Sequence, residues 1–340
     1  MRICFVSSSY PRYDTDGAAR FIRSMAEALT ELGHNVDVLI PHRADLRLAS
    51  GPVNVFPFRY VWPDRLAIMG YAEAMQSDQR LRGLAYALAP LFALSEALQI
   101  LRLHRRRPYD IVHAHWVIPN GAVAAFAAAR LRRPLIVSLH GSDIFFARRQ
   151  AWLGALARWT FGRAAAVLSC SPELSAGAIA LHADPARLYL VPHGADPRLF
   201  GAAPAQRDRG RAALGLQPAQ PVILSLGRLV KKKGLEHLKH AMPAIIAQAP
   251  HVMCLVAGNG PELEPLRRLA IALGIDRHVR FLGPVPWSAT PELYAAADIF
   301  VAPSVHDERG NVDGLPTTIL EAMAAGRPVI ASQLAGIELA

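Results

Sequence analysis

The stretch "PVILSLGRLVKKKG", residues 221–234, decides the fold. Its first half, Val222 to Leu226, is a short apolar run. Its second half turns at Gly227, gathers Arg228, Lys231, Lys232 and Lys233, and reaches Gly234, where a helical pattern begins. A buried strand that leads through a glycine into a basic loop and then a helix is the repeating piece of a doubly wound α/β sheet. Arg228 offers a fork of donors and Lys233 a point charge. The helix N-terminus adds free amides at the positive end of its dipole, and the three together suit a diphosphate. A solvated basic turn accounts for Lys231 and Lys232, but it explains poorly why the cluster follows a strand and a glycine.

The same alternation extends in both directions. Strand-like runs ahead of it are "RICFV", "NVDVLI", "VNVFPF", "DIVHAH", "LIVSLH", "AAVLSC" and "RLYLVP"; within and after it come "PVILSLG", "HVMCLVAG", "VRFLG", "DIFVAPS" and "PVIAS". Helical patterns at Gly17 to Leu32, Ala122 to Leu131, Glu262 to Leu273 and Pro316 to Ala325 separate several of them. Strands alternating with helices predict parallel sheets covered on both faces. The Ala-, Pro- and charge-rich stretch at about 201–220 reads as a linker with one short helix, dividing residues 1–204 from 205–340. Open α/β sheets bind ligands beyond the carboxyl ends of their strands. The polar segments "HAHW", "LHGSD", "PHGAD", "GRLVKKKG", "GNGP" and "PSVHDERGNVDG" fall at those ends, so two domains facing each other would line one cleft with them.

Composition narrows the partners. With 340 residues, 52% of them hydrophobic, the chain is long enough for about two domains. Cys4, Cys170 and Cys254 lack pairing or metal spacing and sit in apolar runs, which predicts buried, reduced thiols and a cytoplasmic setting. The formal charge of +10 favours anionic partners, yet the basic runs lack the interleaved aromatics of a nucleic-acid surface. The run Leu84 to Leu94 contains Pro90 and is far shorter than the ~20 residues that span a bilayer, so no membrane span is expected. The longer segment Leu66 to Arg107, with Tyr71, Leu81, Leu84, Leu88, Leu91 and Leu94, reads first as a core face with a basic end and second as a membrane-contacting element. "HAHW" has metal-like alternation without a third ligand, and His113, His115 and His193 read as structural.

A second stretch, "VDGLPTTILEAMAAG" at 312–326, places two carboxylates around a helix entrance. Pro316 suits the first turn, so Asp313 lies just outside the helix. Ile319, Ala322 and Met323 form the expected buried stripe, while Thr317 and Glu321 share another face. A carboxylate there accepts hydrogen bonds from sugar hydroxyls, and the amides of Gly314 and Leu315 are open to phosphate or sugar oxygens. Alone, Asp313 is better read as a helix cap and Glu321 as a surface residue.

In order, "GRLVKKKG", "GNGP", "FLGPVP…ELYAAADIFVAPS" and "DGLPTTILEAMAAGRPVIAS" resemble the GT-B retaining glycosyltransferases of family 4. The first half, with "SSSYPRYDTDGAARFIRSMAEALTELGHNVDVL", "DIVHAHW", "SLHGSD" and "VPHGAD", resembles their amino-terminal domain, so the likeness covers nearly the whole chain. It implies two Rossmann-like domains facing a cleft, and transfer of a sugar from a nucleoside diphosphate sugar to a glycan or lipid-linked acceptor. The basic runs "RLRR" and "RLHRRR" suit peripheral contact with an anionic inner membrane face carrying the acceptor, and no separate metal is required if Arg228 and Lys233 neutralise the diphosphate. By resemblance, Arg228 and Lys233 hold the diphosphate, Glu321 binds the ribose, and Asp313 stands where the family usually has glutamate against the transferred sugar. Gly17 approaches the donor phosphate, Gly260 lets the chain pass close to the donor, His140 reaches the sugar, Asp143 lies nearby on the acceptor side, and Leu282 and Gly283 pack the nucleobase. Asp313 and an end at "GRPVIASQLAGIELA", short of the family's closing helix, motivate one alternative, a catalytically weak nucleotide-sugar-binding component of a polysaccharide assembly complex; a GT-B-type sugar-nucleotide epimerase of related fold is a further enzyme alternative.

Overall fold

The structure is a computed structural model that describes residues 1–48, 51–71, 75–77, 80–81, 83–201, 204–308, 312 and 314–340. It divides into two compact units, Met1–Val191 and Pro192–Ala340.

The first unit carries strands β1 (Arg2–Val6), β2 (Asn35–Pro41), β3 (Asn54–Phe58), a small antiparallel ribbon of β4 (Met75–Ser77) and β5 (Arg80–Leu81), then β6 (Ile111–His115), β7 (Leu135–Leu139), β8 (Ala166–Ser169) and β9 (Leu188–Leu190). Its helices are α1 (Arg20–Glu31), α2 (Gly83–Arg106), α3 (Ala122–Leu131), α4 (Ser142–Arg149), α5 (Ala151–Phe161) and α6 (Pro172–Ala180). Seven strands form one parallel sheet in the order β3-β2-β1-β6-β7-β8-β9. Strands covered on both faces are continuous apolar runs rather than alternating ones. Accordingly Ile3 and Phe5 join one buried cluster, while Cys4 and Val6 join the other.

The second unit repeats the plan with β10 (Val222–Leu226), β11 (Met253–Ala257), β12 (Val279–Gly283), β13 (Ile299–Ala302) and β14 (Val329–Ala331), all parallel in the order β12-β11-β10-β13-β14. Its helices are α7 (Pro197–Phe200), α8 (Pro204–Ala213), α9 (Leu235–Gln248), α10 (Leu263–Ala272), α11 (Thr290–Ala296) and α12 (Thr317–Ala324). In each unit the strand order reverses beside the first strand, β1/β6 in one and β10/β13 in the other. Those crevices are where doubly wound sheets bind ligands.

Every strand expected from the apolar runs is present, and Cys4, Cys170 and Cys254 are buried. The units part at Val191, ahead of the expected linker, because that stretch belongs to the second unit. Phe200 packs edge-on against Trp287 and Tyr294. Arg211, 3% exposed, donates to the carbonyls of Ala296, Gln217, Pro218 and Gln220 and to the Asp298 carboxylate. Two further expectations need correcting. Met323 is exposed, for α12 buries Ile319 and Ala322 and turns Met323 outward. In α2 the buried side is Ala85, Leu88, Phe92, Glu96, Ile100 and Leu103; of the leucines read as a core stripe only Leu88 is buried, while Leu84, Leu91 and Leu94 are exposed and the Leu81 side chain lies outside the described residues. Phe92 explains this choice of side, since its ring fills the space beside Phe58 and Tyr60.

Candidate functional site

At the second switch point a pocket opens between the ends of β10 and β13. Gly227, Arg228 and Lys233 line one wall, Ala302, Pro303 and Ser304 another, with Leu235 at the start of α9 and Pro316 and Thr318 at the start of α12. The loop after β10 doubles back, so that the Lys233 ammonium passes over Gly227. Gly234 makes this possible: its φ of 61° is left-handed, and a Cβ would meet the Pro303 carbonyl oxygen at 1.9 Å. The helix start is thereby pressed against the end of β13. The lysine-rich turn is tied down by Val305 N donating to Lys232 O, and by the exposed ion pair of Lys231 with Glu308.

Neighbouring strand ends brace this loop from the other side. Gly227 N donates to Ala257 O, Leu229 N to Asn259 O, and Glu262 N to Leu229 O. A Cβ on Gly260 would lie 2.2 Å from the Leu229 carbonyl oxygen, so the close approach that Gly260 permits is to the basic loop itself. Gly283 joins the series by accepting from Gly258 N, and Leu282 is half-buried on one core cluster of this unit. Ser304, 1% exposed, lines the pocket while its Oγ has no hydrogen-bond partner among the described residues. Buried hydroxyls are normally satisfied.

Asp313 lies outside the described residues. Gly314 and Leu315 lead into α12, and Glu321 sits one turn inside it, apart from the pocket lining. Its side chain is not simply free: the Tyr294 hydroxyl donates to Glu321 Oε2 at 2.8 Å. Burial raises the pKa of the Glu321 carboxyl and the tyrosine bond opposes that rise. Tyr294, wholly buried on α11, is a site-forming residue that sequence reasoning missed. A tyrosine in an apolar helical run signals core, and only the fold shows what its hydroxyl meets.

In the first unit the crevice lies at the ends of β1, β6 and β7. Gly17, exposed, sits in the loop between β1 and α1. That loop is organised by Asp16, whose carboxylate accepts from Arg12 N, Arg12 Nε and Ala18 N. Burial would raise the pKa of Asp16, but these bonds outweigh it and hold the carboxyl below its usual range. His140, after β7, shares a 3.1 Å hydrogen bond with His115 at the end of β6, and its ring packs against Phe21 and Trp116. His115, expected as structural, thus braces the His140 ring. His113 fits that reading better: it bonds Ser138 Oγ at 2.7 Å, and burial pushes it down to about 4, so it is neutral at pH 7. The rings of His113, His115 and His140 stack rather than converge, and no metal-binding group of three or more occurs among the described residues.

Asp143, expected on the acceptor side, is tied to the backbone around it. It is 3% exposed, and its carboxylate accepts from the amides of Val117, Gly141 and, at longer range, His140. It is a clamp that holds the His140 turn against the chain after β6.

Fold and pocket together define a two-unit, doubly wound α/β protein with a basic pocket at a switch point of its second sheet. Residues 206–338 match the glycosyl transferases group 1, and residues 16–194, more than half the chain, match the glycosyl transferase 4-like domain. By the second match the chain belongs to the glycosyl transferase 4-like family, and its fold is GT-B. An uncharacterized glycosyltransferase of Methanocaldococcus jannaschii is 27% identical over 99% of this chain and 82% of its own length. A GDP-mannose-dependent alpha-(1-6)-phosphatidylinositol monomannoside mannosyltransferase of Mycolicibacterium smegmatis is 34% identical over 64% of this chain and 56% of its own. Among solved structures, HepE of Anabaena in complex with UDP superimposes with a TM-score of 0.69 at 21% identity, covering all of this chain and 83% of that one, a likeness of fold.

Proposed function

We propose that this glycosyltransferase moves a sugar from a nucleoside diphosphate sugar to a hydroxyl of a glycan or lipid-linked acceptor, with retention at the anomeric carbon, in cell-surface polysaccharide or glycolipid synthesis. The observation that carries the reading is the pocket at the β10/β13 switch point, walled by Arg228 and Lys233 beside the start of α9. As the bond from the anomeric carbon to the diphosphate breaks, negative charge grows on the leaving group. Two fixed cations beside helix-terminal amides lower the cost of that charge. The buried Ser304 hydroxyl would gain the partner it lacks.

In this reading Glu321, steadied by Tyr294, accepts from the ribose hydroxyls, and Asp313 meets the transferred sugar. The amides of Gly314 and Leu315 serve phosphate or sugar oxygens, and Leu282 and Gly283 border the nucleobase. Within the first unit, His115 fixes the His140 ring and Asp143 its turn. The acceptor oxygen attacks the anomeric carbon on the face the diphosphate leaves, and the departing phosphate takes the acceptor's proton. No metal is assigned a role, because the two cations already balance the diphosphate. The mycobacterial relative uses GDP-mannose, whereas the Anabaena structure holds UDP, so the nucleobase is a question for experiment.

Calorimetric titration of UDP-, GDP- and ADP-sugars tests the reading, with Arg228→Ala and Lys233→Ala as controls. One nucleotide class should bind, and each control should weaken it by about tenfold or more, as expected for a lost charge-assisted contact of roughly 1.5–3 kcal/mol. No binding by a folded chain, or binding indifferent to both substitutions, overturns it. NMR of the product reads the anomeric outcome.

A further inference from the structure

Helix α2 wears its apolar residues on the outside. Its inner side, with Leu88, Phe92, Ile100 and Leu103, belongs to the core of the first unit. The opposite side runs Leu84, Ala87, Leu91, Leu94 and Leu98, at alternating intervals of three and four residues, and every one of them is exposed, Leu94 by 58%. Residues so spaced form a single line along a helix, here about 20 Å long. A helix on a water-facing surface carries polar groups on that line; this one carries none until Arg102 and Arg105 continue it. The only acid in α2, Glu96, is buried on the inner side.

The end of this line is strongly basic. Arg102, Arg105 and Arg106 are exposed there. Helix α3 packs alongside α2, and the exposed Arg133 just beyond it comes near enough to His104 to lower its pKa, after desolvation. Exposed Arg130 and Arg132 belong to the same helix end.

We propose that this face of α2 docks on a membrane surface containing anionic lipid. The leucine line lies along the boundary of headgroups and acyl chains, and the arginine cluster sits among lipid phosphates. Charge decides the occupant: an apolar protein groove would cover the leucines but leave the arginines unmatched, whereas an anionic bilayer surface takes both, in a chain of net charge +10. The helix is long and apolar enough to cross a bilayer by composition. Crossing, however, would strip its inner side from the sheet and expose Glu96, so lying flat is the arrangement that keeps the core. The inference stands on α2 alone and is independent of the donor reading.

Flotation with vesicles of phosphatidylcholine, alone or mixed with phosphatidylglycerol, tests it. The chain should float with the mixed vesicles and much less with the neutral ones. Leu91→Gln/Leu94→Gln should cut binding at least tenfold, and Arg102→Gln/Arg105→Gln/Arg106→Gln should cut it roughly a hundredfold, at about fivefold per charge near an anionic surface. Nucleotide-sugar binding and the melting temperature should stay unchanged in both. If the double variant fails to fold, Leu94→Gln alone carries the test. No flotation with mixed vesicles, or flotation that the leucine variants retain, overturns the proposal. So does a dimer in light scattering that Leu94→Gln dissolves, for the face would then belong to a second copy.

Discussion

Replacing Glu96 by glutamine should stabilise the first unit, and increasingly so as pH rises. Glu96 and Asn120 are both wholly buried, joined by Asn120 Nδ2 donating to Glu96 Oε1 at 2.6 Å. Glu96 Oε2 and Asn120 Oδ1, both acceptors when the carboxyl is ionised, have no partner among the described residues. A proton on Oε2 lets it donate to Asn120 Oδ1, closing the two-bond ring of an acid–amide pair. Burial pushes the Glu96 carboxyl from 4.5 up to about 8, against the pull of the Asn120 bond. Because the folded carboxyl keeps its proton to higher pH than the unfolded one, its contribution is complete below about pH 4.5 and is lost as pH rises through about 8. At about 1.36 kcal/mol per pH unit, the loss totals on the order of 5 kcal/mol. Glutamine reproduces the protonated pair without titrating. Urea titrations between about pH 5 and about pH 8.5, read by amide protection of β1 and α2, should show a falling profile for the parent relative to Glu96→Gln, the two approaching each other at the acid end. The difference between the two chains removes the contribution of histidines such as His113, which runs the opposite way. Parallel pH profiles for the two chains, or a glutamine variant less stable throughout, would refute the buried acid.

Two further perturbations probe the candidate site. Gly234→Ala combines a left-handed backbone with a Cβ 1.9 Å from Pro303 O, so it should cost about 2 kcal/mol or more and weaken nucleotide binding with Arg228 and Lys233 intact; chemical denaturation and calorimetry check both. Tyr294→Phe removes the hydroxyl that opposes the upward shift of the Glu321 carboxyl. The acid limb of nucleotide-sugar binding should move to higher pH in that variant, and an unmoved limb would detach Glu321 from the donor.

Parallel strands, buried on both faces, are written as unbroken apolar runs, which is why "PVILSLG" and "HVMCLVAG" were legible in the chain. The basic loop at 227–234 was legible too, since a strand, a glycine and a helix fix where its cations emerge. The exposed side of α2 was not, because a leucine line at helical spacing looks the same whether it faces a sheet or solvent. Phe92, packed between Phe58 and Tyr60, settled the rotation of that helix. Local order along the chain thus determined the two sheets, their helices and the basic loop, all of which depend on neighbours in sequence. Only tertiary structure decided that Tyr294 holds Glu321, that Asp143 clamps the His140 turn, and that Glu96 meets Asn120. Each of those pairs polar groups from different elements, and burial makes such groups seek partners that spacing along the chain does not reveal.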